Sequence, residues 1–115
     1  MKYGSLRQIN PICCMKIYDH PPLKDITLTS VLQAVADPCR QKIISTLLRA
    51  KGRALACNEF ELGVSKATAS HHFEALRNAG VIQTQTQGTK CLSQLREGEL
   101  NKRFPGLLKL IHSES

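Results

Sequence analysis

Lys66, Ala67, Thr68, Ser70 and His71 make up a run of short polar and basic side chains suited to reading a DNA duplex. Small residues let a backbone approach base edges. Ser and Thr hydroxyls bond phosphates or bases, and an imidazole donates or accepts at a base edge. On a helical wheel for Lys66 to Asn78, Ala69, Phe73 and Leu76 share the face that must point into a core. Ala67, Ser70, His71, Glu74 and Asn78 lie opposite, with Lys66 and Thr68 flanking them near the helix start. The positive end of the helix dipole there favours phosphate. An ordinary solvated amphipathic face has a similar composition, so the reading depends on the elements around this helix. Glu74 would repel phosphate unless it accepts from a cytosine amino group or lies clear of the duplex. His72 falls nearer the buried side, as a packing residue. Lys90, beside Gly88, either reaches a neighbouring phosphate or is a solvated turn lysine.

Cysteine is the other residue type that could carry chemistry. The five cysteines, at 13, 14, 39, 57 and 91, are odd in number, and their spacing gives no disulfide framework. In a reducing compartment they are thiols or soft-metal ligands. Cys39 falls in the first turn of an expected helix, beside Arg40, and both features lower a thiol pKa. A buried structural thiol is nevertheless the preferred reading there. A glycine-rich phosphate loop, an HExxH pair and a supported Ser-His-Asp or Cys-His arrangement are all missing from the sequence, so an enzyme is not expected. His71 and His72 are adjacent, hence about 100° apart on a helix, and do not chelate one ion together.

The elements that must position the polar run follow from periodicity and punctuation. Pro11, Pro21 and Pro22 break any long helix and mark residues 1–25 as an arm. Leu28, Val31, Leu32 and Val35 then take the three-and-four spacing of one buried helical face. Asp37 caps a second helix with Pro38 at its first position. Ile43, Ile44, Leu47 and Leu48 form its stripe, and Gly52 stops it after Lys51. Cys57 to Leu62 reads as a short helix, Gly63 and Val64 as a turn, and Ser65 as the cap of the helix Lys66 to Ala79, which Gly80 closes. Val81 to Thr86 and Cys91 to Arg96 read as a hairpin turning at Gly88. Glu99 to Ile111 is helical again, interrupted at Pro105 and Gly106.

This order predicts a mainly α fold with a small β-hairpin: a winged helix-turn-helix domain over residues 26–112, after the arm and before a tail at 113–115. Sixteen Lys and Arg against nine Asp and Glu give a net charge of +7, which favours an anionic partner, nucleic acid first. At 42% apolar residues the chain is not compositionally disordered, and with no tryptophan its core must be Leu, Ile, Val and Ala. No apolar run approaches the roughly 18 residues of a membrane span, and the opening residues lack a secretory apolar core, so no membrane partner and a cytoplasmic location are expected. The rival from another class is a winged-helix protein-interaction module without DNA binding, against which the charge excess and the small polar outer face both argue.

The runs VLQAVADPCRQKIISTL and SKATASHHFEALRNAGVI resemble the helix-Asp-Pro-x-Arg-helix stretch and the recognition helix of ArsR-type regulators, with Ser65, Thr68, Ser70, His72 and Phe73 at matching positions. CNEFELGVSK and RFPGLLKLI resemble one subgroup of small ArsR-like repressors, and the likeness covers about residues 23 to 112. The resemblance implies a homodimeric repressor paired through its N- and C-terminal helices. It also implies binding to double-stranded DNA at an imperfect palindrome, relieved by a small effector. Two recognition helices then read half-sites about one helical turn apart. The family's usual metal sites are incomplete here. Its Cys-x-Cys pair is reduced to Cys57 in Leu55–Ala56–Cys57–Asn58–Glu59, and the C-terminal helix offers His112 without an Asp-x-His. No metal cofactor is therefore the first expectation. The alternative joins arm cysteines Cys13 and Cys14 to Cys57 as three thiolates for arsenite or another soft ion. Against it stands Cys57 as a small buried apolar residue with incidental arm cysteines.

Overall fold

Asp37 separates the first two helices. In the computed structural model, which describes residues 20–114, α1 (Leu28–Val35) ends just before it and α2 (Pro38–Arg49) begins just after it. Asp37 Oδ1 accepts from the Cys39 and Arg40 backbone N–H groups at 2.8 and 3.1 Å, and Pro38 takes the first turn, where its missing N–H costs nothing. Thr27 caps α1 through Ser30 N–H, and Ser65 caps α3 (Lys66–Asn78) through Thr68 N–H, each at 3.1 Å. At the far end of α3 the Val81 N–H returns to Leu76 C=O and the Gly80 N–H to Arg77 C=O, both at 3.0 Å, with Gly80 at φ 85°. This pair of bonds is the Schellman stop that a glycine permits.

The hairpin is present within a residue of its expected bounds. β2 (Ile82–Gln87) pairs antiparallel with β3 (Lys90–Leu95), with Ile82 opposite Leu95 and Gln87 opposite Lys90. A third strand joins it: β1 (Leu55–Ala56) lies against β3, giving the order β1-β3-β2. Two short helices follow, α4 (Glu97–Arg103) and α5 (Leu107–Glu114), divided at Pro105 and Gly106 as read. The fully buried aliphatic side chains include Ile26, Val31, Ile43, Ile44, Leu76, Val81, Ile82 and Leu100, so the core is built without tryptophan, as composition requires.

Two sequence readings need correcting. The stretch Cys57 to Leu62 is not a helix: a single 3-10 turn, Cys57–Glu59, is all that forms. Phe60 turns extended (φ −104°, ψ 132°) and is buried, with its ring edge-on to Phe73 at 5.1 Å. A helix through Phe60 would forfeit that extended turn. Next, α1 buries Val31, Ala34 and Val35, whereas Leu28 and Leu32, expected on the same face, are 49% and 46% exposed. The periodicity marks an apolar stripe broader than the chain itself covers. Residues 20–25, read as the end of the arm, lie against the domain. His20 Nε2 accepts from Thr84 N–H, Pro21 C=O accepts from Arg96 at 2.7 Å, Leu23 C=O accepts from Arg103, and Leu23–Asp25 forms a 3-10 turn.

Ile26 and Gly80 meet so closely that a Cβ on Gly80 would lie 2.5 Å from Ile26 Cγ1. Gly80→Ala therefore adds a core clash to left-handed strain and should cost about 2–4 kcal/mol. Gly63→Ala, with positive φ and nothing within 4 Å, should cost about 1–2 kcal/mol from strain alone. Urea unfolding of the two variants checks the difference, and equal losses would show that Ile26 gives way freely.

Arg96 is buried, and its guanidinium makes two bonds to the Glu99 carboxylate, at 2.7 and 3.0 Å, besides the one to Pro21. The Arg96 hydrogen bond holds the Glu99 carboxyl below its ordinary value, against a smaller opposing effect of burial. A depressed folded-state pKa gives stability that is present above the unfolded value and is lost as pH falls through the folded one. Glu99→Gln should cost about 1 kcal/mol near neutral pH, discounted because the Glu99 side chain is 44% exposed. The gap between wild type and variant should close as pH falls from about 6 to about 3. Thermal melts across that range measure it.

Candidate nucleic-acid interface

The inner side of α3 is fixed before its outer side can do anything. Phe73 and Leu76 are buried, and Ala69 packs against the same core. His72, read as a packing residue, is 8% exposed, and its Nδ1 accepts from Arg40 Nε at 3.0 Å. The same arginine reaches Ala34 C=O at the end of α1 at 3.3 Å, so one side chain ties α1, α2 and α3 together. This anchoring sets the rotation of α3 about its axis. Lys66, Ala67, Thr68, Ser70 and His71 are all exposed as a result, in the first two turns beyond the Ser65 cap.

The local chemistry of that face follows from the cap. Ser65 Oγ accepts the Thr68 N–H and donates its own proton to Thr68 Oγ1 at 2.9 Å. The Thr68 hydroxyl accepts in that bond, so its own hydrogen remains available to a phosphate or base acceptor. His71 and His72 point to different sides, one exposed and one buried, as their adjacency requires. Glu74 is exposed but lies eight residues beyond Lys66, roughly 12 Å along the helix axis. A duplex met by the first turns of α3 leaves it behind.

Lys90 is exposed at the start of β3, beside the Gly88–Thr89 turn. Its charge bears on Glu59, whose carboxyl is held below its ordinary value first by the Ala56 N–H at 2.8 Å and then, past a small effect of burial, by Arg53. The bond from Ala56 to Glu59 fixes the 3-10 turn after β1, and so the route from the sheet to Phe60 and Ser65.

The cysteines fall differently from their sequence reading. Cys13 and Cys14 lie outside the described residues. Cys57 is exposed, which removes its reading as a small buried apolar residue, and Cys91 is buried in the sheet. Cys39 is half-buried. Burial first, and then the Asp37 carboxylate, push its thiol up, outweighing Arg40 and Lys42. The helix start and neighbouring arginine that were expected to lower it are present, but the capping carboxylate that makes the helix start also repels a thiolate. Sequence reasoning missed one grouping altogether: ligand atoms of Asp37, Cys39 and His72 lie within 4.8 Å of one another. The Asp-x-Cys spacing was visible, whereas the approach of His72 from another helix carries no local signal.

Two central helices, a capped outward-facing helix and an antiparallel wing directly after it define a winged helix-turn-helix protein. The family model "Bacterial regulatory protein, arsR family" matches residues 37–84, from the Asp37 cap into β2. The chain is also 34% identical over 83 residues to an uncharacterised HTH-type transcriptional regulator, YceK, of Bacillus subtilis (strain 168), a match spanning 70% of this chain and 82% of that one. The chain belongs to the arsR family and is a DNA-binding transcriptional regulator.

Proposed function

We propose that this regulator is a cytoplasmic homodimeric repressor without catalytic activity, and that it binds a palindromic operator through Lys66, Ala67, Thr68, Ser70 and His71 in the major groove and Lys90 on a flanking phosphate. The observation that carries this reading is the first two turns of α3. They are exposed, small and polar, free of acidic side chains before Glu74, and held in rotation by Phe73, Leu76 and the Arg40–His72 bond. Short side chains at a helix start combine base-edge access with the phosphate preference of the helix dipole.

Dimerisation is supported by apolar surface that one subunit leaves open. Leu28 and Leu32 sit one turn apart on α1, and Leu110 on α5 is 59% exposed. Both helices pack on α2, so a partner covering these leucines would place two α3 helices around a two-fold axis. That is the arrangement a palindrome with half-sites about one helical turn apart demands. Covering a promoter in this way is the simplest route to repression, and it agrees with the resemblance of the sequence to small repressors.

Fluorescence anisotropy on a fragment of the protein's own promoter tests the docking face. Thr68→Ala combined with His71→Ala should weaken specific binding by about tenfold or more while leaving the circular dichroism melt unchanged. Wild-type affinity should fall by at least about a hundredfold between 50 and 200 mM salt if several phosphates are contacted. Operator affinity untouched by the double substitution removes this face from the interface. Little binding to any duplex at either salt concentration points to a protein-interaction module.

Leu32→Glu tests the pairing. It should halve the mass seen by sedimentation equilibrium and weaken binding to a two-half-site operator by about tenfold or more, because the second half-site no longer binds as part of the same assembly. A variant that remains dimeric places the subunit contact elsewhere.

A further inference from the structure

Asp37 and Cys39 stand at the first turn of α2, and His72 reaches them from the middle of α3. One ligand atom from each lies within 4.8 Å of the other two, with His72 buried and Asp37 and Cys39 half-buried. We propose that these three side chains bind a single divalent ion of the zinc class, linking α2 to the DNA-reading helix.

The donor set selects the ion. A thiolate and an imidazole favour borderline metals over calcium or magnesium, and a carboxylate keeps the site from being purely soft. Three protein ligands leave a fourth position for water. Ligands around a tetrahedral ion at about 2.0–2.3 Å stand roughly 3.5 Å apart, so the three atoms need to close by about an ångström. Asp37 can move its carboxylate about the Oδ1 that caps α2, since that cap uses one oxygen. On binding, the Cys39 thiol gives up its proton to solvent and the sulfur donates a lone pair to the ion, as do one His72 nitrogen and one Asp37 oxygen. The two anionic ligands then cancel the charge of the ion. The cations facing the cluster, Arg40 and Lys42, accordingly confront a neutral centre.

Arg40 makes the site a switch. It donates to His72 Nδ1, so that nitrogen carries a lone pair and no proton. If the ion takes Nδ1, Arg40 is displaced directly. If the ion takes Nε2, the ring proton moves to Nδ1, which then ceases to accept. The ion and the Arg40–His72 bond exclude each other in both cases. Arg40 also holds Ala34 C=O and lines a cleft of about 260 Å³ between α1 and α3, together with Ser30, Gln33 and Asn78. Ion binding thus replaces the Arg40–His72 bond between α2 and α3 with a coordinate link between the same helices, one residue from His71. The coordination stands independently of the proposed operator contacts, and its test needs no DNA.

The test is a Co²⁺ titration of the reduced, metal-free full chain, followed by the thiolate-to-cobalt charge-transfer band and the d–d bands of four-coordination. The expected result is one equivalent bound with charge transfer, abolished by Cys39→Ser and retained in Cys57→Ser and in Cys13→Ser/Cys14→Ser. Asp37→Asn keeps a capping oxygen and should fold, yet it should weaken binding by about tenfold or more. Arg40→Ala should tighten binding rather than weaken it, because the competing donor and its positive charge are gone. A wild-type protein without the band, or a band that survives Cys39→Ser, overturns the site. Weaker binding in Arg40→Ala overturns the exclusion between ion and arginine.

Discussion

The rotation of α3 about its own axis is the constraint on which the molecule depends. A helix offers a groove only the side its neighbours leave uncovered, and here the choice is made by the buried ring of Phe73, the buried Leu76 and the Arg40 guanidinium on His72. A turn of about 100° would exchange His71 for His72 and bring the buried imidazole to the surface. The apolar contacts supply most of the free energy, because burying a Leu or Phe side chain contributes roughly 1.5–3 kcal/mol. The arginine bond supplies direction, since a hydrogen bond has a geometry that apolar contact lacks.

The length of α3 is fixed as firmly as its rotation. Ser65 opens it and Gly80 closes it, and the Gly80 backbone comes close enough to Ile26 that only a missing Cβ permits the contact. Ile26 belongs to the segment that precedes α1, so the chain before the first helix helps to define the end of α3. Val81 leads straight from that stop into β2, and the Arg96 N–H returns to Val81 C=O at 3.0 Å where β3 ends. The wing is thus attached to the end of α3 without a slack connection.

Much of this was legible in the sequence because it rests on local rules. Asp37–Pro38, Ser65 and Gly80 are capping signals read over a few residues, and each stands where it was read. The outer face of α3 was legible from its period, and so was the burial of His72. What escaped depends on contacts distant in the chain. A two-residue strand such as Leu55–Ala56 has no pattern of its own and exists only because β3 offers an edge. The stretch from Cys57 to Leu62 reads as a short helix, but only the turn Cys57–Glu59 forms. The pull of Phe60 towards Phe73 could not be read from spacing. Leu28 and Leu32 fit a helical stripe correctly, but periodicity reports that a face is apolar, not which molecule covers it.

The Cys39 thiol shows why a local rule can reverse in context. Its place in a first helical turn beside Arg40 argues for a stabilised thiolate, and both features exist. Here, however, the capping oxygen belongs to the Asp37 carboxylate, and a carboxylate two residues away opposes a second negative charge. The backbone N–H groups of Arg40 and Cys39 outweigh burial and hold Asp37 itself below its ordinary value, so that charge persists at neutral pH. Burial acts on the thiol in the same sense as the carboxylate, and together they outweigh the nearby cations. Burial, together with the carboxylate that starts α2, therefore pushes up a thiol whose place in a first helical turn beside Arg40 argued for the opposite.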